Sequence, residues 1–383
     1  MERNQANIAN TALQWALFLT TNIFFVCKYV PRAGMNPVLF SVLFVLGATG
    51  LFALYRHTIR PHITERTART LSIITITGIV VCIGLSIWLI DPMTLRVDRW
   101  SATSYFLDAL FDGQYPYGVY THRGEGNFPS PFPLWHYINI PFWLIGDVGW
   151  IQAFFLLLFA GAIYYSFRSW KILLSVLLLL CISPAYWWEI IARSDGLSNA
   201  LLVCSVILVI EYLPVKMSDK WWFLAIISGC IASTRMSAII PMALYLFRPW
   251  LEVSWPKKVG FVGIALCVAV LFFLPYILWD TETWVFLERN PFMSQSSTGN
   301  IWILMAMVGI ALVVAYHKQT FSYYLRTTSV FMFGFMLVSQ LAVIWFSEVV
   351  DINLFHKCCD ISYFTLAMPY TLLALIIPTH EHD

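Results

Sequence analysis

Residues 91–149 read DPMTLRVDRWSATSYFLDALFDGQYPYGVYTHRGEGNFPSPFPLWHYINIPFWLIGDVG. This is the longest stretch of the chain that is unable to cross a bilayer as a plain helix. It gathers Asp91, Asp98, Asp108, Asp112 and Glu125 with Arg96, Arg99 and Arg123, among many aromatics and prolines. The segments on either side are almost purely apolar. Polar side chains held against a membrane by such flanks mark a reaction site or a solute path.

Composition sets the class. Of 383 residues, 59% are hydrophobic and 11% charged, and the mean hydropathy is +0.72. A soluble domain is about 25% charged, so this is a polytopic integral membrane protein. The formal charge of +2 gives no reason to expect a nucleic-acid partner. Cys27, Cys82, Cys181, Cys204, Cys230 and Cys267 lie inside apolar runs, where a thiol acts as a small hydrophobe. Cys358 and Cys359 are adjacent, but no second Cys/His pair has zinc spacing. The first apolar run, residues 11–30, is long enough to stay as a span, so no cleaved leader is expected. The absence of any Asn-x-Ser/Thr acceptor fits a bacterial protein.

Runs of about 20 apolar residues predict spans, and Lys/Arg-rich loops predict the cytoplasmic side. Residues 11–30 and 36–55 form the first two. The loop RHTIRPHITERTAR, with Arg56, Arg60, Arg66 and Arg69, then belongs inside. A third span, 71–90, delivers residues 91–149 to the outside. Within that external loop two short helices are predicted at the membrane surface, 101–112 and 134–145. Beyond it, spans are predicted at 150–167, 172–187, 200–213, 259–279, 301–316, 327–346 and 361–377. The run 221–247 matches one span by length, yet a single crossing would put Arg248, Lys257 and Lys258 outside. Two short helices meeting at Ser233-Thr234-Arg235 restore the charge rule and set Arg235 at the floor of a recess. The whole is an all-α membrane domain over residues 1–383 with about 12 spans, both termini cytoplasmic, in a bacterial inner membrane.

That topology turns the polar loops to one face. Asp98 and Arg99, then Glu189, Arg193 and Asp195, Arg235, Glu288 and Arg289, and finally His356, Lys357 and Asp360 all lie there. A carboxylate among fixed cations suits one task, activating a hydroxyl while a phosphate departs: the acid takes the proton and the cations steady the growing charge. Trp100, Tyr105 and Tyr117 offer faces for a sugar. Each residue also has a plainer reading. Asp98 or Asp195 could cap the helix that follows it, Arg193 could reach to lipid headgroups, and His356 and Lys357 could sit in a solvated loop.

The order of features resembles the GT-C glycosyltransferase superfamily, in its polyprenyl-phosphate-mannose-type branch. The matching pieces are Asp98 in VDRW just after an outgoing span and the turn ending YFLDALFDGQYPY. FPSPFPLWHYINIPF, SPAYWWEIIARSDGLSNALL and the split hairpin around STRMS follow, so the likeness covers roughly residues 71–247. It implies a hexosyltransferase using a polyprenyl-phosphate sugar and an external glycan, lipid or protein acceptor. Asp98 would be the base, Arg235, Arg193 and Lys357 would hold the donor phosphate, and Arg99, Trp100, Tyr105, Tyr117, Asp195 and His356 would contact substrate. Arg99 and Trp100 follow Asp98 where several branches have Asp-x-Asp. The reaction is therefore expected to require no cofactor, with a divalent metal left open. A transporter or flippase for a lipid-linked or anionic solute is the alternative. It would want broken helices paired across two related halves and polar groups at mid-membrane, whereas here the polar groups crowd one face.

Overall fold

The computed structural model describes residues 2–124, 126–279, 284–296, 301–317, 320–347, 349, 351–356 and 359–377. Among them every regular element is helical. In chain order these are α1 (Glu2–Tyr29), α2 (Pro37–Leu54), α3 (Arg60–His62) and α4 (Glu65–Leu89). Next come α5 (Arg99–Phe111), α6 (Pro133–Leu144), α7 (Ile151–Phe167), α8 (Trp170–Cys181), α9 (Pro184–Ala192) and α10 (Gly196–Tyr212). The last group is α11 (Met217–Ala232), α12 (Ile239–Glu252), α13 (Trp255–Ile277), α14 (Val285–Glu288), α15 (Pro291–Ser296), α16 (Ile301–Tyr316), α17 (Phe321–Trp345) and α18 (Met368–Ile376). A 3-10 stretch, Ile361–Ala367, leads into α18.

Among the described residues, six helical segments are long and apolar enough to cross a membrane: Ile8–Ala33, Pro37–His62, Glu65–Leu89, Val148–Phe167, Trp255–Ile277 and Phe321–Trp345. A seventh arises if α8 and α9 count as one span bent by 72°. The chain is thus a multi-pass membrane protein, with fewer full-length crossings than the twelve read from apolar runs. The difference lies in length. Those runs are helical, but α10, α11, α12 and α16 hold 17, 16, 14 and 16 residues. At ~1.5 Å per residue they span roughly 21–26 Å, short of the ~30 Å hydrocarbon core. The bend between α8 and α9 also has a local cause. Ser183 accepts from the Tyr186 N–H, and Pro184 starts the new helix where its missing N–H costs nothing.

Two predicted features are present. The short helices expected at 101–112 and 134–145 form as α5 and α6, and the run 221–247 breaks after Ala232, with α12 starting at Ile239. The central core joins α7, α8, α10 and α18 through Phe155, Phe159, Leu177, Leu201, Leu208 and Leu372, all buried. By contrast α2 and α13 are mostly open, with Leu43, Leu46, Leu266 and Leu271 exposed, as suits helices whose solvent is lipid.

The backbones of α11 and α13 approach closely because of glycine. A Cβ on Gly229 would stand 2.6 Å from the Ala265 carbonyl oxygen and 2.8 Å from Val268 Cβ, whereas Gly50 on α2 faces open space. Gly229→Ala should therefore push the two helices apart at a cost of about 1–3 kcal/mol. The thermal midpoint of the purified protein should fall for Gly229→Ala and hold for Gly50→Ala; equal midpoints would show that the helices give way freely.

Candidate functional site

Asp98 immediately precedes α5, yet no backbone N–H of that helix donates to its side chain. Its carboxylate instead accepts from Thr121 Oγ1 at 3.1 Å. Thr121 is placed by a small loop, its N–H bonded to the Asn127 carbonyl at 2.9 Å. The loop is tied back to α5 by Ser101 Oγ and His122 Nδ1, 2.6 Å apart. So positioned, half-buried Asp98 lines a cavity of about 840 Å3.

The wall of this cavity is basic. Lys28 comes from the end of α1 and Arg32 from the 3-10 turn Val30–Ala33 that follows it, Arg96 and Arg99 from either side of Asp98, Arg123 from the loop and Arg289 from the end of α14. Among the described residues, three carboxylates stand against these six cations: Asp98, Glu288 and Asp360. Several of the cations are fixed. Lys28 Nζ donates to the Cys359 and His356 carbonyls at 2.5 and 3.4 Å. The Arg289 guanidinium lies 4.1 Å above the Phe128 ring, and its carbonyl accepts from Tyr115 at 2.7 Å. Arg99 pairs with Asp360. Burial by itself would raise the Asp360 carboxyl, but Arg99, the Ser362 hydroxyl and N–H and Lys28 together hold it below the usual range. Arg99 shows the mirror case: burial pulls its pKa down, and Asp360 with Tyr363, Asp98 and Asp195 carries it well above the ordinary value.

Other expected residues fall into place around this wall. Tyr117 lines the cavity, its hydroxyl donating to the Pro131 carbonyl at 3.1 Å. Asp195 leaves α10 uncapped and pairs with Arg235, which is 1% exposed. Arg235 stands one layer behind the wall, its guanidinium 5.9 Å from the ring of Tyr363, while Arg99 approaches the same ring at 6.0 Å. The recess expected at the hairpin tip is therefore filled by an ion pair and an aromatic ring. The tip is also bonded to the proline-rich loop, through Phe132 N–H to Thr234 O at 3.0 Å and Leu134 N–H to Ser233 O at 3.1 Å.

Arg193 needs correcting. It is away from the cavity wall, paired with Asp147 at 3.0 Å, and it donates to the Ile87 and Ile90 carbonyls at 3.0 and 2.9 Å. It closes the C-terminal end of α4, whose last carbonyls lack helical partners. Its position, not its charge, explains the difference: Arg193 ends α9 in the left-handed region (φ 51°), which turns its side chain toward α4. Burial lowers its pKa against the pull of Asp147, and burial raises that of Asp147 against the Gly149 N–H and Arg193.

Trp100 and Tyr105 also lie off the wall, edge to face at 6.1 Å, with the Tyr105 hydroxyl bonded to Met93 Sδ at 3.4 Å. His356 meets Lys28 through its backbone carbonyl and is not a wall residue. Lys357 lies outside the described residues. Lys28 and Arg32 were missed because they end an apolar run, where basic residues read as anchors. The signal was their position on the same face as the polar loops. Another surprise is His136. It is buried, stacks at 3.5 Å on Phe106, and is pushed down by burial to about 3, so it stays neutral at ordinary pH.

Among the described residues no three His, Cys, Asp or Glu side chains come together as metal ligands. Compared with known proteins, the chain matches no family model, no curated protein and no solved structure.

The depressed Asp360 carboxyl links the cavity to acid stability. Such a group stabilises the fold above its unfolded pKa of about 3.9, and that stabilisation is lost as pH falls through the lower folded value. Asp360→Asn should thus melt below the native protein at about pH 7 and converge on it as pH falls through that lower folded value. Melting curves across that range test this; a gap independent of pH would show that the ionic pairing contributes nothing.

Proposed function

We propose that this protein is a GT-C-type glycosyltransferase, moving a sugar from a polyprenyl-phosphate donor to an acceptor hydroxyl at the basic cavity. The observation that carries the reading is the setting of Asp98: a carboxylate free of helix-capping duty on the wall of a cavity that also holds six cations. The order of sequence features in residues 71–247 supports the same reading by resemblance.

In this reading the acceptor oxygen attacks the anomeric carbon as its proton passes to Asp98, and the bond from that carbon to the phosphate oxygen breaks. Configuration inverts, and the polyprenyl phosphate leaves with the electron pair. The leaving group gains charge, and preorganised cations stabilise it most where water is displaced. Arg32, Arg96, Arg123 and Arg289 take that role better than the arginines singled out from sequence. Among the described residues none of the four has a carboxylate within ion-pair distance, while Arg193 and Arg235 each have one. Arg99 is shared with Asp360 and orients the wall beside the base. Tyr117 and Phe128 add aromatic surface for the sugar. The cavity sits at the end of the bundle where α1 stops and α10 begins. This reading puts that end on the extracytoplasmic side of a bacterial inner membrane and both termini on the cytoplasmic side. No divalent metal is required, since the fixed cations supply the same electrostatic help.

Purified protein incubated with a panel of polyprenyl-phosphate sugars and candidate acceptors should release lipid phosphate with at least one donor. Asp98→Asn should lower the turnover number by ~100-fold or more with little change in donor affinity. Arg96→Ala and Arg123→Ala should chiefly weaken donor binding, by roughly tenfold for each lost charge-assisted contact. Full turnover in Asp98→Asn would remove it as base. Movement of intact donor across vesicles without phosphate release would replace transfer by transport.

A further inference from the structure

A second cavity, of about 580 Å3, lies at the far end of the bundle from Asp98. α10 shows the separation: it starts beside the Asp195–Arg235 pair and reaches this cavity with Ile210 and Glu211, some 17 residues or ~25 Å away. Helix ends surround it, the last turns of α10, α12 and α16 and the first turns of α11 and α17. Its volume lies within the ~300–1,000 Å3 of small-molecule sites. Nothing in the proposed transfer reaction uses it.

The chemistry of its lining is divided. Leu224, Leu244, Ala315 and Tyr324 are buried and make an apolar floor. Glu211, Lys216, Arg248, Glu252 and His317 form the rim. Arg248 and Glu252 satisfy each other at 2.9 Å, and Arg248 also donates to the Tyr316 carbonyl at 3.2 Å. That leaves Glu211 and Lys216 on the same cavity, neither with an ion-pair partner among the described residues. Glu211 accepts only a neutral hydroxyl, from Tyr245 at 2.7 Å. One carboxylate and one ammonium facing one space match a ligand with both signs of charge. The basic cavity near Asp98, with twice as many cations as carboxylates among the described residues, has no such balance.

A third hollow, of about 290 Å3, supplies the other half of the argument. It is lined by Phe247, Leu312, Val313, Tyr316 and His317, so it adjoins the charged cavity at His317 and is otherwise walled by apolar and aromatic side chains. Leu312, Val313 and Tyr316 are exposed on the outer face of α16. A charged chamber continuing into an apolar surface groove, at the level of the helix ends, has the shape of an amphiphile.

We propose that this end of the protein holds an aminophospholipid. Its phosphate faces Lys216, its primary ammonium faces Glu211, and an acyl chain runs along the groove of Phe247, Leu312 and Val313. The ammonium hydrogens matter, because a trimethylated head offers Glu211 charge but no donor. An anionic head without an amine leaves Glu211 unpaired.

The test uses the full chain, purified and delipidated in detergent, then incubated with equal amounts of phosphatidylethanolamine, phosphatidylcholine and phosphatidylglycerol. Native mass spectrometry counts the lipid retained. Phosphatidylethanolamine should be retained about two- to fivefold over each of the others, the range expected for one partly exposed charge contact. Glu211→Gln, which keeps an acceptor for Tyr245, should abolish the preference over phosphatidylglycerol. Lys216→Gln should lower retention of all three. Equal retention in the native protein, retention of none, or a preference unchanged in Glu211→Gln would overturn the assignment. Displacement of the lipid by water-soluble phosphoethanolamine at matched concentration would overturn the part given to the acyl chain.

Discussion

The contact on which the most other structure depends is the buried pair of Arg235 with Asp195. Arg235 is 1% exposed at the tip of two helices too short to cross the membrane, and Asp195 stands at the head of α10. A lone guanidinium there would be an uncompensated charge in low dielectric, which typically costs several kcal/mol, so the tip is held where the carboxylate is. Everything fastened to the tip inherits that position. The backbone of Ser233 and Thr234 receives the proline-rich loop, and that loop begins α6 and carries the Ser130 and Phe128 edge of the basic cavity. The ion pair thus fixes a wall it does not itself touch.

The same device recurs twice with different consequences. Arg99 with Asp360 joins the segment bearing Asp98 to the loop that precedes α18, and Arg193 with Asp147 joins the ends of α4, α7 and α9. In each, one arginine and one aspartate distant in sequence stitch together segments from separate parts of the chain. Loops at a membrane boundary lack the burial that holds helices together. Charge pairing and carbonyl capture take its place here. Only the first of these two pairs opens onto the cavity, so similar residues carry different meanings.

Reading the sequence reached the helices but not the pairings. Apolar runs announced every long helix, and the charge imbalance around Arg248, Lys257 and Lys258 exposed the break at Ser233–Arg235. Both short helices were visible from their spacing, with Pro133 marking the start of α6. The bend at Pro184 was not read, because the apolar run continues across it without a change in composition. At the site, Asp98, Arg99 and Tyr117 were legible as residues of one polar segment and do share a wall. The role imagined for Arg193 failed at a level sequence does not encode, the choice of partner among several nearby acids. Lys28 and Arg32 were hidden for the opposite reason. Their neighbours are apolar, and only the folded chain brings the end of α1 next to segments some hundreds of residues away.

One side chain ties the mouth of the basic cavity to its floor. Gln295, on α15, donates from Nε2 to the Ser130 carbonyl at 2.5 Å and accepts at Oε1 from the Met236 N–H at 3.0 Å. The same segment carries Arg289, Asn290 and Met293 on the cavity wall. A single amide therefore couples rim, loop and hairpin as a bracket couples three beams, and the stretch bearing Arg289 parts from the hairpin only by giving up both of these hydrogen bonds along with the Tyr115 bond to the Arg289 carbonyl and the Phe292 packing on Phe132 and Phe273.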